Sequence, residues 1–327
     1  MRQQEKTIFT TRPVVFSPTF PKQKFKLLQF KHNESVNQPT AYQTRLYLDV
    51  EFLTSLRPFR NYRNLESLEK VCEYLRKEFK DAGYETQDQK WMAEGNEYTN
   101  VIASYQPQKT KRLIVGAHYD VAGEQPGADD NASAVAGLLE TARLVAELQP
   151  ELDFRIDFVA FCLEEPPFFS SDKMGSYIHA QSLSQNKADV LGMICYEMIG
   201  YFSEEPGSQD YPSADLAKIY PDKGNFIIVV GIEQHKSFHQ EFYRNMAEGS
   251  RIDVQEITFP VPVGYAAMSD HMNYWHFGFP ALMINDTSML RNHNYHLASD
   301  SIETLNFEKM AEVVNSSFRA ILKLNKK

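Results

Sequence analysis

Short apolar runs alternate with segments of helical period along most of this chain, and no other feature constrains its fold as tightly. The runs are typical of strands buried on both faces of a sheet, and they occupy residues 113–117, 156–163, 190–195, 226–232 and 281–284. Helical periods fill residues 132–148, 175–183, 234–247, 270–277 and 307–324. Strands and helices in alternation favour a mostly parallel sheet. The sequence therefore predicts a single α/β domain with a mostly parallel, mixed central sheet flanked by helices on both faces.

The sequence before residue 113 shows fewer patterns that indicate helices or strands. Apolar residues at helical spacing, from Leu65 to Phe79, predict a helix that Asn64 can cap and that Gly83 can end. Two strands are predicted at residues 84–91 and 98–105. Residues 1–40 have no clear period and carry scattered prolines, so we expect an arm there. The predicted organisation is an N-terminal arm at 1–40 and one domain at 41–327.

Composition excludes several classes of protein. A chain of 327 residues with 43% hydrophobic residues can bury a large core, unlike a disordered chain. Its formal charge of −9 disfavours nucleic acid or an anionic membrane as a partner. The apolar runs are far shorter than the ~20 residues that span a bilayer. We therefore expect a soluble chain, cytoplasmic or, if an upstream leader is removed, periplasmic or secreted. The oligomeric state is left open.

Cysteine usage argues against a disulfide framework. Cys72, Cys162 and Cys195 are odd in number and widely spaced. We expect three buried free thiols that behave as small hydrophobic side chains.

Acidic and imidazole side chains follow four of the predicted strands at the point where each strand ends. They are His118, Asp120, Glu164, Glu165, Glu197 and His296, and Asp130 lies just before the helix at 132–148. Each group alone has an ordinary explanation: a histidine bonded near a strand end, a helix N-cap, or a solvated charge pair. Ligands of open α/β sheets, however, gather beyond the carboxyl ends of the strands. We therefore expect these side chains to meet at one edge of the sheet.

Acids gathered this closely repel one another unless a cation lies among them. Glu197 is the most telling, because it is enclosed by the apolar residues Ile194, Met198 and Ile199. Mixed histidine and carboxylate ligands suit Zn²⁺, with Co²⁺ and Mn²⁺ as alternatives. The pattern thus indicates a transition-metal site.

At these residues the chain resembles the M28 family of zinc aminopeptidases. The resemblance covers residues 64–327 and rests on His118-Tyr119-Asp120, residues 127–133, Glu164-Glu165, Glu197-Met198-Ile199-Gly200 and Asn294-Tyr295-His296. It implies two Zn²⁺ ions per chain, a peptide substrate and hydrolysis of its N-terminal peptide bond. The sequence does not indicate which side chain is preferred at the cleaved residue.

The resemblance also implies roles. Asp130 would bridge the two metals, His118 and Glu197 would complete one site, and Glu165 and His296 would complete the other. Glu164 would be the general base. Asp120 would hydrogen-bond the far nitrogen of His118 and fix its ring. Asp270 would lie in a hydrogen-bond network behind the metal, as an acid at this point does in the related glutaminyl cyclases.

Two departures from the family pattern bear on these roles. Position 197 is more often Asp in the family, so the longer Glu197 puts the His118 site, and with it the number of metals, in question. Ala134 stands where glycine is usual, which concerns helix packing.

Two other functions stay open. The first is a glutaminyl-peptide cyclotransferase, which would hold a single zinc on Asp130, Glu165 and His296. The second is a non-catalytic binding domain of the same fold.

Some residues are not assigned to the site. The other histidines (His179, His235, His239, His276 and His293) are expected mostly on helix surfaces or loops, and His271 is left open. Phe168, Phe169, Tyr201 and Phe202 fit a substrate pocket and a core equally well. Residues 201–225, rich in proline and glycine, predict a long loop at the rim of the sheet.

Overall fold

A computed structural model describes residues 38–325 of the chain. It contains α1 (Gln43–Ser55), α2 (Leu65–Asp81), α3 (Ala134–Leu148), α4 (Gly175–Gln185), α5 (Lys236–Ala247), α6 (His271–His276) and α7 (Phe307–Lys323). The strands are β1 (Thr86–Ala93), β2 (Asn96–Tyr105), β3 (Arg112–His118), β4 (Arg155–Phe161), β5 (Val190–Glu197), β6 (Phe226–Ile232), β7 (Asp253–Phe259) and β8 (Ala281–Asn285). The predicted arm lies outside the described residues except for its last three. No helix between residues 38 and 325 has the length and apolar character that crossing a bilayer would need.

All eight strands form one mixed sheet in the order β1-β2-β4-β3-β5-β8-β6-β7. The four central strands, β4, β3, β5 and β8, are parallel to one another. β2 and β6 flank them and run antiparallel to their neighbours β4 and β8. The predicted α/β class and mixed sheet are confirmed.

Helices cover both faces of this sheet. One face packs against α1, α2, α3, α5 and α7 through residues such as Leu138, Phe242 and Phe318. The other face packs against α4 and α6 through Leu183 and Trp275. All three cysteines are buried and free, as expected.

Two elements were not predicted. α1 shows little separation of polar and apolar faces, because its buried side chains include Asp49 as well as Leu46 and Val50. β7 is an edge strand in which Val254 is the single buried residue, so its sequence shows no clean alternation. Neither element therefore carries the period that identifies a helix or a strand.

The helix ends also differ from expectation. α2 begins after Asn64, but the side-chain amide of Asn64 donates to the carbonyl of Phe59 and does not cap the helix. α3 begins at Ala134, and an irregular turn, Ala128–Ser133, precedes it, in which Asp130 and Asn131 have non-helical backbone angles. This turn presents Asp130.

Candidate active site

The four parallel strands end at one edge of the sheet, and this is where the predicted side chains meet. His118 is the last residue of β3 and Glu197 the last of β5. Glu164 and Glu165 follow β4, and His296 lies in the loop after β8. Because these strands are neighbours and parallel, their exits deliver imidazole and carboxylate groups to one place.

Asp130 lies between the two imidazoles. Its Oδ1 is 3.4 Å from Nε2 of His118, and its Oδ2 is 3.0 Å from Nε2 of His296. Glu197 approaches the first imidazole, with Oε2 3.4 Å from Nε2 of His118. Glu165 approaches the second, with Oε2 3.2 Å from Nε2 of His296. The cluster thus has two halves that share one carboxylate.

The donor set fits a metal ion. Ligand atoms of His118, Asp130 and Glu165 all lie within 4.8 Å of one another. Within residues 38–325, Oε1 of Glu165 and Nε2 of His296 find no hydrogen-bond partner. Buried polar atoms left in this way carry a desolvation cost unless an ion or water meets them. These residues could hold a transition metal through nitrogen and oxygen ligands.

Asp120 supports the site differently from the predicted arrangement. Nδ1 of His118 is 3.2 Å from the main-chain carbonyl oxygen of Asp120, against 3.5 Å from its carboxylate. The carboxylate instead accepts hydrogen bonds from the main-chain N–H groups of Glu164 and Glu165, at 3.2 and 3.1 Å. Asp120 therefore fixes the His118 ring with its carbonyl and the glutamate pair with its side chain.

Glu197 is held in place despite its extra methylene group. The hydroxyl of Ser269 donates to Oε2 of Glu197 at 2.6 Å, and the amide of Asn131 donates to the same oxygen at 3.3 Å. These donors turn the longer side chain towards His118.

Burial and mutual repulsion shift the protonation of the cluster. Burial, together with the nearby negative charge of Asp130, raises the pKa of the Glu165 carboxyl to about 8. Burial, together with Glu165 and Glu197, holds the pKa of Glu164 well above its ordinary value. Burial lowers the pKa of the His296 imidazole, but the adjacent carboxylates of Asp130 and Glu165 outweigh burial and raise the pKa to about 10. Protons therefore balance the negative charge wherever no metal does.

An apolar pocket opens beside the cluster. Its walls come from β6, β7 and β8, the loop at 201–225 and the segment at 260–268. The apolar lining residues include Tyr211, Tyr220, Ile228, Val230, Ile257, Phe259, Met268 and Met283, and Asp130, Glu165 and His296 also line the pocket. The long loop is thus a pocket wall, as its length suggested.

The unassigned aromatic residues divide between pocket and core. Phe169 lines the pocket, whereas Phe168 is buried in the core against the rings of Tyr62 and Tyr98. Phe202 packs at the edge of the same core.

Two of the remaining histidines contradict the surface prediction. His179 is buried, with Nδ1 2.6 Å from the hydroxyl of Tyr274. His239 is buried beside Glu256 and Thr258. Helical position alone could not identify His239, because its partners Glu256 and Thr258 lie on the unpredicted β7.

Asp270 is fully buried near the cluster. Neither of its carboxylate oxygens makes a hydrogen bond within the described residues. Burial raises its pKa to about 7. His271, beside it, is also buried and reaches the carbonyl oxygen of Ala266 at 2.7 Å.

A family model for peptidase family M28 matches residues 100–320, which include every residue of the cluster. The chain belongs to the M28 family of peptidases. The family is generally zinc-dependent, in agreement with the donor set described above.

Similar proteins include peptidases and an uncharacterised relative. The chain is 40% identical over 283 residues to the uncharacterised protein YfbL of Escherichia coli strain K12, covering 84% of this chain and 86% of YfbL. It is 24% identical over 302 residues to leucine aminopeptidase 1 of Leptosphaeria maculans, covering 86% of this chain and 71% of that protein.

Solved structures with this fold include aminopeptidases and cyclases. The LapA aminopeptidase of Legionella pneumophila matches with a TM-score of 0.70 at 20% identity, over 93% of this chain and 78% of LapA. A glutaminyl cyclase of Bacteroides thetaiotaomicron matches with a TM-score of 0.67 at 20% identity, over 89% of this chain and 100% of the cyclase. These likenesses establish the fold.

Sequence reasoning missed two residues that contact the segment carrying Asp130. Arg60 is fully buried and donates to the carbonyls of Pro126 and Gly127. Asp300 accepts hydrogen bonds from the N–H groups of Asp129 and Asp130. Both bind main chain, so no side-chain pattern in the sequence could have indicated them.

Proposed function

We propose that this chain is a metal-dependent aminopeptidase that binds two metal ions. The observation that supports this best is the position of Asp130, which offers one carboxylate oxygen to His118 and the other to His296. A carboxylate divided between two imidazoles suits a bridge between two ions. His118 and Glu197 would complete one site, and Glu165 and His296 the other.

Glu164 is the general base in this proposal. When bound, the ions lower the pKa of a water molecule and polarise the scissile carbonyl. Glu164 lines the pocket, and its Oε2 lies 3.7 Å from Nε2 of His118, so its carboxylate is beside the proposed ion site. It accepts a proton from the water and later donates that proton to the leaving amine.

The cluster and the pocket together favour a substrate with a free amino terminus and an apolar first side chain. The acids Glu164 and Glu197 face the pocket and attract an ammonium group. The pocket beyond them presents tyrosine, isoleucine, valine and methionine side chains to the first residue. The 24% identity to a leucine aminopeptidase agrees with this preference.

Anilide substrates test the proposal. We expect the protein to release the chromophore from leucyl and phenylalanyl anilides faster than from the glutamyl anilide. Acetylation of the amino group should remove the reaction, and a chelator should stop it until zinc is restored. Cleavage of the acetylated substrate at an equal rate, or full activity after metal removal, would contradict it.

A second candidate is a glutaminyl-peptide cyclotransferase with one zinc. It is supported by the proximity of Asp130, Glu165 and His296, which make a three-ligand set on their own, and by the fold shared with glutaminyl cyclases. Ammonia release from a peptide that begins with glutamine, with one zinc per chain, would favour this activity. Hydrolysis of the anilides with two zinc ions per chain would favour the aminopeptidase.

A further inference from the structure

Arg60 is a buried cation that hydrogen-bonds to main-chain carbonyls. With Arg291 it is one of the two fully buried arginines within residues 38–325. Its Nε donates to the carbonyl of Tyr119 at 2.8 Å, Nη1 to the carbonyls of Leu53 (3.1 Å) and Pro126, and Nη2 to the carbonyl of Gly127 at 2.7 Å. Within residues 38–325 all its hydrogen bonds end on carbonyl oxygens. Burying a guanidinium in this way is costly unless its charge and its geometry are both used.

The carbonyls that Arg60 binds belong to segments that carry metal-site residues. Tyr119 lies between His118 and Asp120. Pro126 and Gly127 lead directly into the irregular turn, Ala128–Ser133, that presents Asp130. One planar guanidinium thus joins the end of β3 to the turn before α3.

Asp300 holds the same turn from its N–H side. Its Oδ1 accepts from the N–H of Asp129 at 2.9 Å and its Oδ2 from the N–H of Asp130 at 3.1 Å. Its main-chain carbonyl accepts from the N–H of Ala128 at 3.1 Å. The peptide unit between Gly127 and Ala128 is therefore bound at both ends, its carbonyl by Arg60 and its N–H by Asp300.

Gly127 permits this close arrangement. It has a left-handed backbone with φ of +60°, and a Cβ atom there would lie 2.2 Å from the carbonyl oxygen of Asp130 and 3.1 Å from Nη2 of Arg60. A side chain at this position would push the turn away from both partners.

Asp300 also belongs to the loop that carries His296. Its N–H donates to the carbonyl of Leu297 at 3.0 Å, which closes the turn directly after His296. Asp300 therefore connects the segment that carries Asp130 with the loop that carries His296, and it helps to set the distance between these two residues. Negative charge on Asp300, Asp130 and Asp120 stabilises the Arg60 cation, although burial lowers its pKa to about 10.

We propose that Arg60 and Asp300 are positioning residues, which grip the 126–130 segment from opposite sides and set the distance of Asp130 from His118 and His296. The inference rests on the proposed metal-binding role of these three residues. Neither Arg60 nor Asp300 touches the metal or the substrate in this arrangement. Their effect is on how well the ligands are preorganised, and therefore on metal affinity.

Zinc binding tests the proposal directly. We would measure the zinc dissociation constant of the full chain by competition with a chelator, and its metal-free stability by urea unfolding. Arg60→Lys, Arg60→Met and Asp300→Asn should each weaken zinc binding about 10–100-fold, the range for residues that support metal ligands. Arg60→Lys separates the effect of hydrogen-bond geometry from that of charge, because lysine keeps the charge but cannot bind four carbonyls at once.

Arg143→Met is the matched control. Arg143 is a largely buried arginine on α3 that pairs with Asp49 and Glu78, away from the metal residues. This variant should lose stability and keep wild-type zinc affinity. The proposal is overturned if the Arg60 and Asp300 variants bind zinc as the wild type does, if Arg60→Lys alone retains full affinity, or if Arg143→Met weakens binding equally. A wild-type protein that binds no zinc would overturn the proposed function itself, and this inference with it.

Discussion

Two regions of this protein hold buried acids whose partners differ. Between α1, α2 and α3, Asp49 is bound by Arg143 at 2.6 and 3.0 Å, and Glu140 is bound by Arg45 at 2.7 and 2.8 Å. At the carboxyl ends of β3, β4, β5 and β8, the ion pairs of the buried acids within residues 38–325 go to His118 and His296.

This difference shows that the side chains supply enough positive charge to the acids between the helices but not to the acids at the strand ends. An arginine is permanently charged and satisfies both oxygens of a carboxylate, so the helical network is complete by itself. Two imidazoles cannot do the same for four carboxylates, and among the described residues Oε1 of Glu165 and Nε2 of His296 make no hydrogen bond. In the proposed function, a bound metal would supply the charge that arginine supplies elsewhere.

The largest expected effect separates the proposed base from the proposed ligands. Glu164→Gln removes a proton acceptor without changing the size of the side chain. Turnover of a leucyl anilide should fall by about 10²–10⁴-fold, the contribution of a positioned general base. Bound zinc should stay unchanged, as measured by elemental analysis.

Glu97→Gln is the control for this change, because Glu97 is an exposed residue paired with Lys90. It should leave turnover unaltered. Wild-type turnover in the Glu164 variant would remove the base from the mechanism, and loss of zinc would make Glu164 a ligand.

The second prediction concerns the helical network. Arg143→Met leaves Asp49 and part of Glu78 without their cation, and breaking a buried pair costs about 3–5 kcal/mol. Urea unfolding should show a loss of this size. A loss below about 1 kcal/mol, which is typical of exposed ion pairs, would contradict the claim that the ion pairs of Arg143 stabilise the fold strongly.

The elements that could be predicted from the sequence are those whose residues are almost all buried. β3, β4, β5 and β8 are buried on both faces, so their apolar runs identified them and their exits located the cluster of imidazoles and carboxylates. β7 and α1 were missed because each mixes polar and apolar neighbours. The pocket could not be predicted, since Ile257 and Phe259 of β7 meet Tyr220 of a distant loop only in the folded chain.

The residues that position the cluster were less predictable from the sequence than the proposed metal ligands. Ligand types are readable in sequence because metals demand particular side chains. Arg60 and Asp300 bind peptide groups, which every residue offers. The residue Asp120 was predicted, but the atom that reaches His118 is its carbonyl oxygen.

Metal removal should destabilise the cluster at the strand ends and leave the ion pairs between α1, α2 and α3 unchanged. A ligand at 100 times its dissociation constant stabilises a folded protein by about 2.7 kcal/mol. Zinc at that level should raise the free energy of unfolding of the chelator-treated protein by about this amount. Arg143→Met should gain equally from zinc, because its defect lies in the other region. An absence of zinc stabilisation in the wild type would contradict the contrast between the regions.

The smallest effect is expected on the surface. Lys70 and Glu66 form an exposed pair one turn apart on α2. Lys70→Met should change the free energy of unfolding by only about 0.3–0.5 kcal/mol, because water screens the pair. A change as large as that of Arg143→Met would mean that burial is not what distinguishes these ion pairs.

Metal stoichiometry of freshly purified protein tests the central claim most directly. Elemental analysis should find two zinc ions, or two ions of a metal with similar ligand preference, in each chain. A protein that contains no transition metal and takes up none from a zinc solution would contradict the account, because the acids at the strand ends would then be stable without a cation.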